Sequence, residues 1–143
     1  MKKSEGFTLV ELLVTVAIIG ILAAVGISAY TGFIVAAKEK QATTGLSSIY
    51  LAQEEYRSMI GTYYQSNASC GLSNDDSTVI NNNLFNADTI LETENYNFCI
   101  EHSSGTLTYL ANAYLLDGSG VILTITNTNL KRKFVDGSWQ TGW

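Results

Sequence analysis

The chain has 143 residues, with 8 lysines and arginines against 13 aspartates and glutamates and a formal net charge of −5. This length leaves room for one domain beside a membrane segment. The acidic balance argues against a protein whose whole surface attracts nucleic acid, although a local basic patch is compatible with it.

A long apolar stretch follows a short basic leader that holds Lys2 and Lys3. Between Leu12 and Ala29 the residues are Leu, Val, Ile, Ala and Gly, with Thr15 and Ser28 as the polar exceptions and no charge. About 18 such residues are enough for a helix to span a bilayer core. The positive charges before the stretch predict a cytoplasmic N-terminus, with the rest of the chain across the membrane.

Glu11 places a carboxylate inside the start of this predicted membrane helix. Such a group costs about 2.5–3.5 kcal/mol near the bilayer centre, less toward the interface, and is usually functional. We therefore predict that Glu11 needs a partner.

The segment Gly6-Phe7-Thr8-Leu9-Val10-Glu11, between the basic leader and the apolar run, resembles the class III signal of type IV prepilins. The resemblance implies that a peptidase cuts after Gly6 and that Phe7 becomes the N-methylated first residue. It also implies that Glu11 is the assembly carboxylate, which pairs with the new amine of an adjacent subunit. Ser28 stands where the family usually has a proline, and this sequence has no proline at all.

The resemblance also implies a division of the chain and a set of partners. Residues 1–6 would be a cleaved leader, 7–36 a transmembrane and filament-core helix, and 37–143 a periplasmic or extracellular head. The partners would be a prepilin peptidase and N-methyltransferase, an inner-membrane assembly platform, membrane lipid, other pilins and further copies of this chain. The precursor would lie in the inner membrane, and the assembled product would be an extracellular filament.

A plain membrane anchor and a cleavable signal peptide are the alternatives for the same stretch. A signal peptide expects a small-residue cut site after the apolar run, and Ala36-Ala37-Lys38 offers only a weak one. Gly20 and Ala24 have the small-xxx-small spacing that lets helices approach closely, which suits an anchor as well as a filament. The leader, Phe7 and Glu11 together favour the prepilin interpretation.

The predicted helix continues beyond the membrane segment, because apolar residues recur every three or four positions after residue 40. We predict that Leu46, Ile49 and Tyr56 face a core. The helix should end at Gly61, where the periodic pattern stops. The full stripe is Ala42, Leu46, Ile49, Ala52 or Gln53, Tyr56 and Ile60.

Residues 61–94 are predicted to form an irregular loop, because Ser, Asn, Asp and Thr dominate their composition. Phe85, Ile90 and Leu91 are expected to pin this loop to the domain, with a short turn of helix at Ala87–Glu92.

Two cysteines, Cys70 and Cys99, lie beyond the membrane segment. The compartment there is oxidising if the basic leader is cytoplasmic, so we predict a disulfide between them. Two free buried thiols are the alternative.

Strand signals dominate after residue 95, and we predict four or so antiparallel strands. A sheet must bury one face, and the amphipathic half of the helix is the element that can cover it. The sequence therefore predicts an α+β fold, with a long N-terminal helix packed through its second half on a small C-terminal sheet. The predicted strands are Tyr96–Glu101, Thr106–Leu116, Val121–Thr126 and Lys131–Val135, with a turn at Ser103-Ser104-Gly105 and a short end carrying Trp139 and Trp143.

Residues with catalytic or metal-binding chemistry form no known motif. His102 is the single histidine and is expected to be a surface residue at a strand end. Asp75 and Asp76 offer oxygen ligands for calcium, but their spacing fits no ligand pattern, and a solvated loop is favoured. We predict no enzyme activity, cofactor or metal.

Lys131, Arg132 and Lys133 form the one basic cluster after the leader. Lys131 and Lys133 would share a face of a strand and could contact a nucleic-acid backbone. Protection of a sheet edge by charge is the favoured interpretation.

We predict a structural pilin that polymerises through its N-terminal helix into a filament for adhesion, motility or DNA uptake. The alternatives are a minor pilin, a type II secretion pseudopilin, a DNA-binding uptake pilin and a membrane-anchored extracytoplasmic enzyme.

Overall fold

The computed structural model describes residues 6–66, 70–72, 76–102 and 107–143, with the side chains of 28 and 29 left aside. Lys2, Lys3, Asp75 and the predicted turn at Ser103-Ser104-Gly105 lie outside these ranges. The chain divides into two compact units, one ending at Ala37 and the other comprising Lys38–Trp143. Helix α1, Leu9–Ile60, contributes residues to both units.

The second unit contains a five-stranded antiparallel sheet in which each strand pairs with the next along the chain. This confirms the predicted α+β class, and Lys131–Val135 has the predicted bounds. The second strand is shorter than predicted and begins at Tyr109 rather than Thr106. The strands are β1 Tyr96–His102, β2 Tyr109–Leu115, β3 Ile122–Thr126, β4 Lys131–Val135 and β5 Ser138–Thr141.

The fifth strand is one more than the four or so that we predicted. Asp136 and Gly137 both have positive φ angles, 50° and 76°, and they join β4 to β5 as a two-residue hairpin turn. The Asp-Gly pair was therefore the sequence signal for β5, whose four residues carry too little apolar character to be recognised on their own.

The part of α1 from Lys38 onward packs on one face of this sheet. Ala42, Leu46 and Ile49 are buried as predicted, in one core with sheet residues such as Phe98. The buried stripe ends earlier than predicted, because Ile60 is 61% exposed. Tyr63 is buried instead, just past the helix end, where its ring packs edge-on against Tyr109 at 4.8 Å.

Part of the predicted loop is a helix, α2, which spans Asp76–Leu84. The turn of helix predicted at Ala87–Glu92 is wrong, because Ala87 has a left-handed φ of 68° that a right-handed helix does not allow. Asn81 of α2 fixes this segment through its side chain. Its Nδ2 donates to the Leu91 carbonyl at 3.0 Å, and the Leu91 N–H donates to its Oδ1 at 2.9 Å.

The three predicted anchors of the loop behave differently from one another. Leu91 is buried and Phe85 packs partly against the core, whereas Ile90 is 48% exposed. Gln53, one of the two residues predicted for its place in the core-facing stripe, is a further anchor whose partner the sequence did not reveal. Its buried side-chain amide accepts from the Tyr64 N–H at 2.9 Å and donates to the Tyr64 carbonyl at 2.8 Å.

Gly45 is where α1 comes very close to the sheet. A Cβ atom built on Gly45 would lie 2.8 Å from Cζ and 2.9 Å from Cε1 of the buried Phe98 ring. We expect Gly45→Ala to lower the free energy of unfolding by about 1–3 kcal/mol, because the packed ring has to shift. Urea denaturation of the full chain in detergent, followed by tryptophan fluorescence, measures this. Gly20→Ala is the matched control, since no described atom beyond its own helix backbone lies within 4 Å of a Cβ there.

Two buried tyrosines predict a loss of stability at high pH. Burial raises the pKa of Tyr96 to about 12, and it raises the pKa of Tyr109 further. In the unfolded chain a tyrosine titrates near about 10, so above that pH the folded state binds more protons and stability falls as the pH rises. The expected slope is about 1.4 kcal/mol per pH unit for each tyrosine.

Urea titrations below and above about pH 10, where the tyrosines of the unfolded chain ionise, check this slope. Tyr109→Phe should remove the Tyr109 contribution with little other cost, because its hydroxyl is buried without a hydrogen-bond partner among the described residues. An identical slope in Tyr109→Phe and the unmodified chain would contradict the prediction.

Candidate functional site

The first turn of α1 is closed by a reciprocal pair of residues, Thr8 and Glu11. The N–H and the hydroxyl of Thr8 both donate to Oε2 of Glu11, at 2.9 Å and 2.7 Å. In return the Glu11 N–H donates to Oγ1 of Thr8 at 3.3 Å. This capping box pairs donors that a helix start leaves open. Glu11 therefore has partners in its own chain, which the pattern Thr-x-x-Glu signalled and our sequence prediction missed.

The predicted cleavage position lies directly before this cap. Gly6 and Phe7 precede α1, and Phe7 is 85% exposed. Exposed backbone outside a helix is where proteases cut most readily. The second carboxylate oxygen of Glu11, Oε1, makes no hydrogen bond to any of the described residues.

The α1 residues before Lys38 are apolar on every side. All the large apolar side chains described from Leu9 to Val35 are exposed. A helix that is hydrophobic all round belongs in a membrane or in the interior of an assembly. By length and composition α1 is the one helix in the described part of the chain that is able to cross a membrane, and an N-terminal signal sequence would pass the same test.

Cys70 and Cys99 are joined by a disulfide, with their Cα atoms 5.7 Å apart. The bond ties the segment before α2 to the outer edge of the sheet at β1. Two serines complete the same edge, because the Phe98 N–H donates to Oγ of Ser77 at 2.8 Å and the Ile100 N–H donates to Oγ of Ser66 at 2.9 Å. Donors that an edge strand normally exposes are therefore satisfied inside the head.

The basic cluster is divided between the two faces of the sheet. Lys131 and Lys133 share a face, as predicted, but this is the face on which α1 packs. Lys133 Nζ forms an ion pair with Glu39 of α1 at 2.7 Å, and Lys131 Nζ lies 4.4 Å from the centre of the Trp143 ring. Arg132 lies on the opposite face and is exposed. The three cations therefore do not form one basic surface.

The remaining sequence candidates are separated in the structure. His102 lies at the end of β1, where its Nε2 is 3.2 Å from the Tyr63 carbonyl oxygen. Asp76 is buried in the first turn of α2 rather than in a solvated loop. Within the described ranges no three His, Cys, Asp or Glu side chains are grouped in a way that could hold a metal ion.

Comparison with known proteins identifies the N-terminal segment. Residues 1–27 match the family model of the prokaryotic N-terminal methylation motif. The chain is 45% identical over 54 residues to the type IV major pilin protein PilA of Myxococcus xanthus, a match that covers 38% of this chain and 24% of that protein.

Two further relatives also match only part of the chain. A probable minor fimbrial protein of Dichelobacter nodosus is 40% identical over 55 residues, 38% of this chain and 35% of its own length. The type IV major pilin protein PilE1 of Neisseria gonorrhoeae is 35% identical over 75 residues, 52% of this chain and 46% of its own length. The chain thus spans less than half the length of these curated relatives. No solved structure matches it.

Proposed function

We propose that this chain, whose residues 1–27 match the N-terminal methylation motif, is a structural and non-enzymatic subunit of a type IV pilus. One observation carries the proposal. An apolar helix that is exposed on every side begins with a carboxylate, and an exposed Gly6–Phe7 bond lies just before it. Exposure of such an apolar surface to water is unfavourable, whereas a membrane or a bundle of like helices buries it.

Processing is the first step of the proposed function. A prepilin peptidase and N-methyltransferase would cut between Gly6 and Phe7 and methylate the new amine. Thr8 and Glu11 follow the cut, so the capping box remains complete in the processed subunit. The helix start is then preserved while the chain gains a cation at Phe7.

The second step joins subunits through charge. Oε2 of Glu11 is held by Thr8, and Oε1 is available to accept from the Phe7 ammonium of an adjacent subunit. Both charges would be neutralised as the helices leave lipid, which is necessary because an unpaired buried charge is strongly destabilising. Gly20 and Ala24 would let neighbouring helices approach closely.

The location follows from the same steps. The subunit would wait in the inner membrane with its N-terminus in the cytoplasm, pass through an assembly platform and end in a surface filament with other copies and other pilins. DNA uptake gains no support from Lys131 and Lys133, because both ammonium groups are already engaged within the head.

Shearing filaments from the surface of producing cells tests this proposal. We expect the chain to be recovered in the sheared fibre fraction. High abundance there identifies a major subunit, and trace abundance identifies a minor one. A chain that remains entirely with the cells, while other pilins are sheared off, contradicts the proposed function.

A further inference from the structure

The outer face of the sheet, opposite α1, carries a row of large apolar side chains across four strands. Tyr114, Ile122, Phe134 and Trp139 are successive register partners on β2, β3, β4 and β5. The Phe134 and Trp139 rings lie 5.2 Å apart, and Trp139 remains 50% exposed. The row therefore ends in an exposed indole at the edge of the sheet.

Arg132 lies next to this indole on the same face. It pairs with Thr141 of β5, so Trp139 is its diagonal neighbour, within reach of a long side chain. Arg132 is exposed and makes no hydrogen bond, ion pair or ring contact with any of the described residues. Tryptophan and arginine side by side are the residue types that contribute most to binding at protein interfaces.

A groove of about 410 Å³ lies on a different side of the head, between α1 and the turn that follows α2. Its apolar lining includes Leu51, Phe85 and Ile90. Leu51 is 69% exposed, although it lies on the helix that covers the sheet. Two carboxylates, Glu55 and Asp88, lie at this groove, and no lysine or arginine lines it. We call it the acidic groove.

We propose that the acidic groove of one subunit receives Trp139 and Arg132 from a second copy of this chain. The indole would contact the apolar lining, and the guanidinium would pair with Glu55 or Asp88. The two surfaces are complementary in charge and polarity. The groove offers two carboxylates to the guanidinium and an apolar lining to the indole, and no lysine or arginine lines it. The proposal rests on the proposed function, since it describes how heads meet within the filament.

The geometry of the two surfaces determines the kind of assembly. Arg132 and Trp139 lie on the sheet face opposite α1, whereas the groove is built on α1 itself. The contact is therefore between unlike patches, and such contacts propagate from subunit to subunit and do not close into a pair. A small contact is sufficient, because subunits joined through their helices meet at high effective concentration.

Charge reversal in the full chain tests the contact. We expect Arg132→Glu to lower the yield of sheared filaments about tenfold, because it places like charges against the groove. Glu55→Arg or Asp88→Arg should have a similar effect. One of these two changes, combined with Arg132→Glu, should restore the yield to within about twofold of the original. Lys40→Glu is the matched control, because it changes the net charge equally at an exposed lysine away from both surfaces.

Folding and assembly are checked separately in each variant. A normal membrane level of the subunit, together with resistance of the head to added protease, reports that the head is folded. An unchanged yield for Arg132→Glu overturns the contact. Failure of both reversed pairs to restore the yield, or an equal loss in Lys40→Glu, also overturns it. Loss of filaments in Glu11→Ala beside normal filaments in Arg132→Glu would refute the groove contact alone. Absence of the unmodified chain from the sheared fibres would refute the proposed function.

Discussion

Glu11→Ala is expected to reduce the yield of sheared surface filaments by about a hundredfold or more, while the subunit accumulates in the membrane. Removing the carboxylate leaves the Phe7 ammonium of the adjacent subunit without its partner among apolar helices. Breaking a buried ion pair in this way costs about 3–5 kcal/mol. At about 1.4 kcal/mol for each power of ten, this corresponds to at least two powers of ten in a contact equilibrium.

Glu11→Ala also removes half of the capping box, so the two roles of Glu11 have to be separated. Glu11→Gln provides the separation, because a glutamine at this position still caps the helix but carries no charge. We expect Glu11→Gln to lose filaments as completely as Glu11→Ala. Thr8→Ala, which removes the cap hydroxyl and keeps the carboxylate, should cost about 0.5–2 kcal/mol of helix stability and have the milder phenotype. Normal filaments from Glu11→Gln would show that the charge has no part in assembly.

Replacing both Cys70 and Cys99 by serine is expected to lower the free energy of unfolding of the head by about 3–4 kcal/mol. The disulfide joins residues 29 positions apart, and a closed loop of that size restricts the unfolded chain by about this amount. Urea denaturation of the full chain in detergent, followed by tryptophan fluorescence, measures the change. The sequence has two tryptophans, of which Trp139 lies in β5 and Trp143 donates from Nε1 to the Thr124 carbonyl of β3 at 3.2 Å.

Ser66→Ala is the control for this prediction. Oγ of Ser66 lies 3.7 Å from Sγ of Cys99 and accepts from the Ile100 N–H, so its loss disturbs the same edge of the sheet without breaking the disulfide. We expect a loss of about 1–3 kcal/mol from the unpaired Ile100 N–H, with the disulfide still formed. If the double serine variant and the unmodified chain unfold at the same urea concentration, the prediction that the disulfide stabilises the head is wrong.

Local patterns predicted what depends on neighbouring residues in the chain. The spacing of Ala42, Leu46 and Ile49 predicted the buried face of α1, and strand-type residues bounded by turn signals predicted the strands through Lys131–Val135. These succeeded because a helix face and a strand face follow directly from residue spacing. The pairing of Glu11 with Thr8 is equally local, because the Thr-x-x-Glu spacing of a capping box is enough to bring the two side chains together.

The features that could not be predicted from the sequence depend on contacts between residues far apart in the chain. Asn81 of α2 holds Leu91 through two hydrogen bonds that residue spacing does not reveal. The helix in this region therefore lies N-terminal to the position at which a helical turn was predicted. Lys131 and Lys133 share a face as predicted, but the side on which α1 packs decides whether that face is available to a ligand. The acidic groove is likewise invisible in the sequence, because α1 and the turn after α2 form it together.

Mass spectrometry of the mature N-terminus tests the central claim most directly. The account predicts that the chain recovered from surface filaments begins at Phe7 and that its amine carries an added methyl group. A mature chain that still begins at Met1, or one that begins near Lys38 after removal of the apolar helix, would contradict the account.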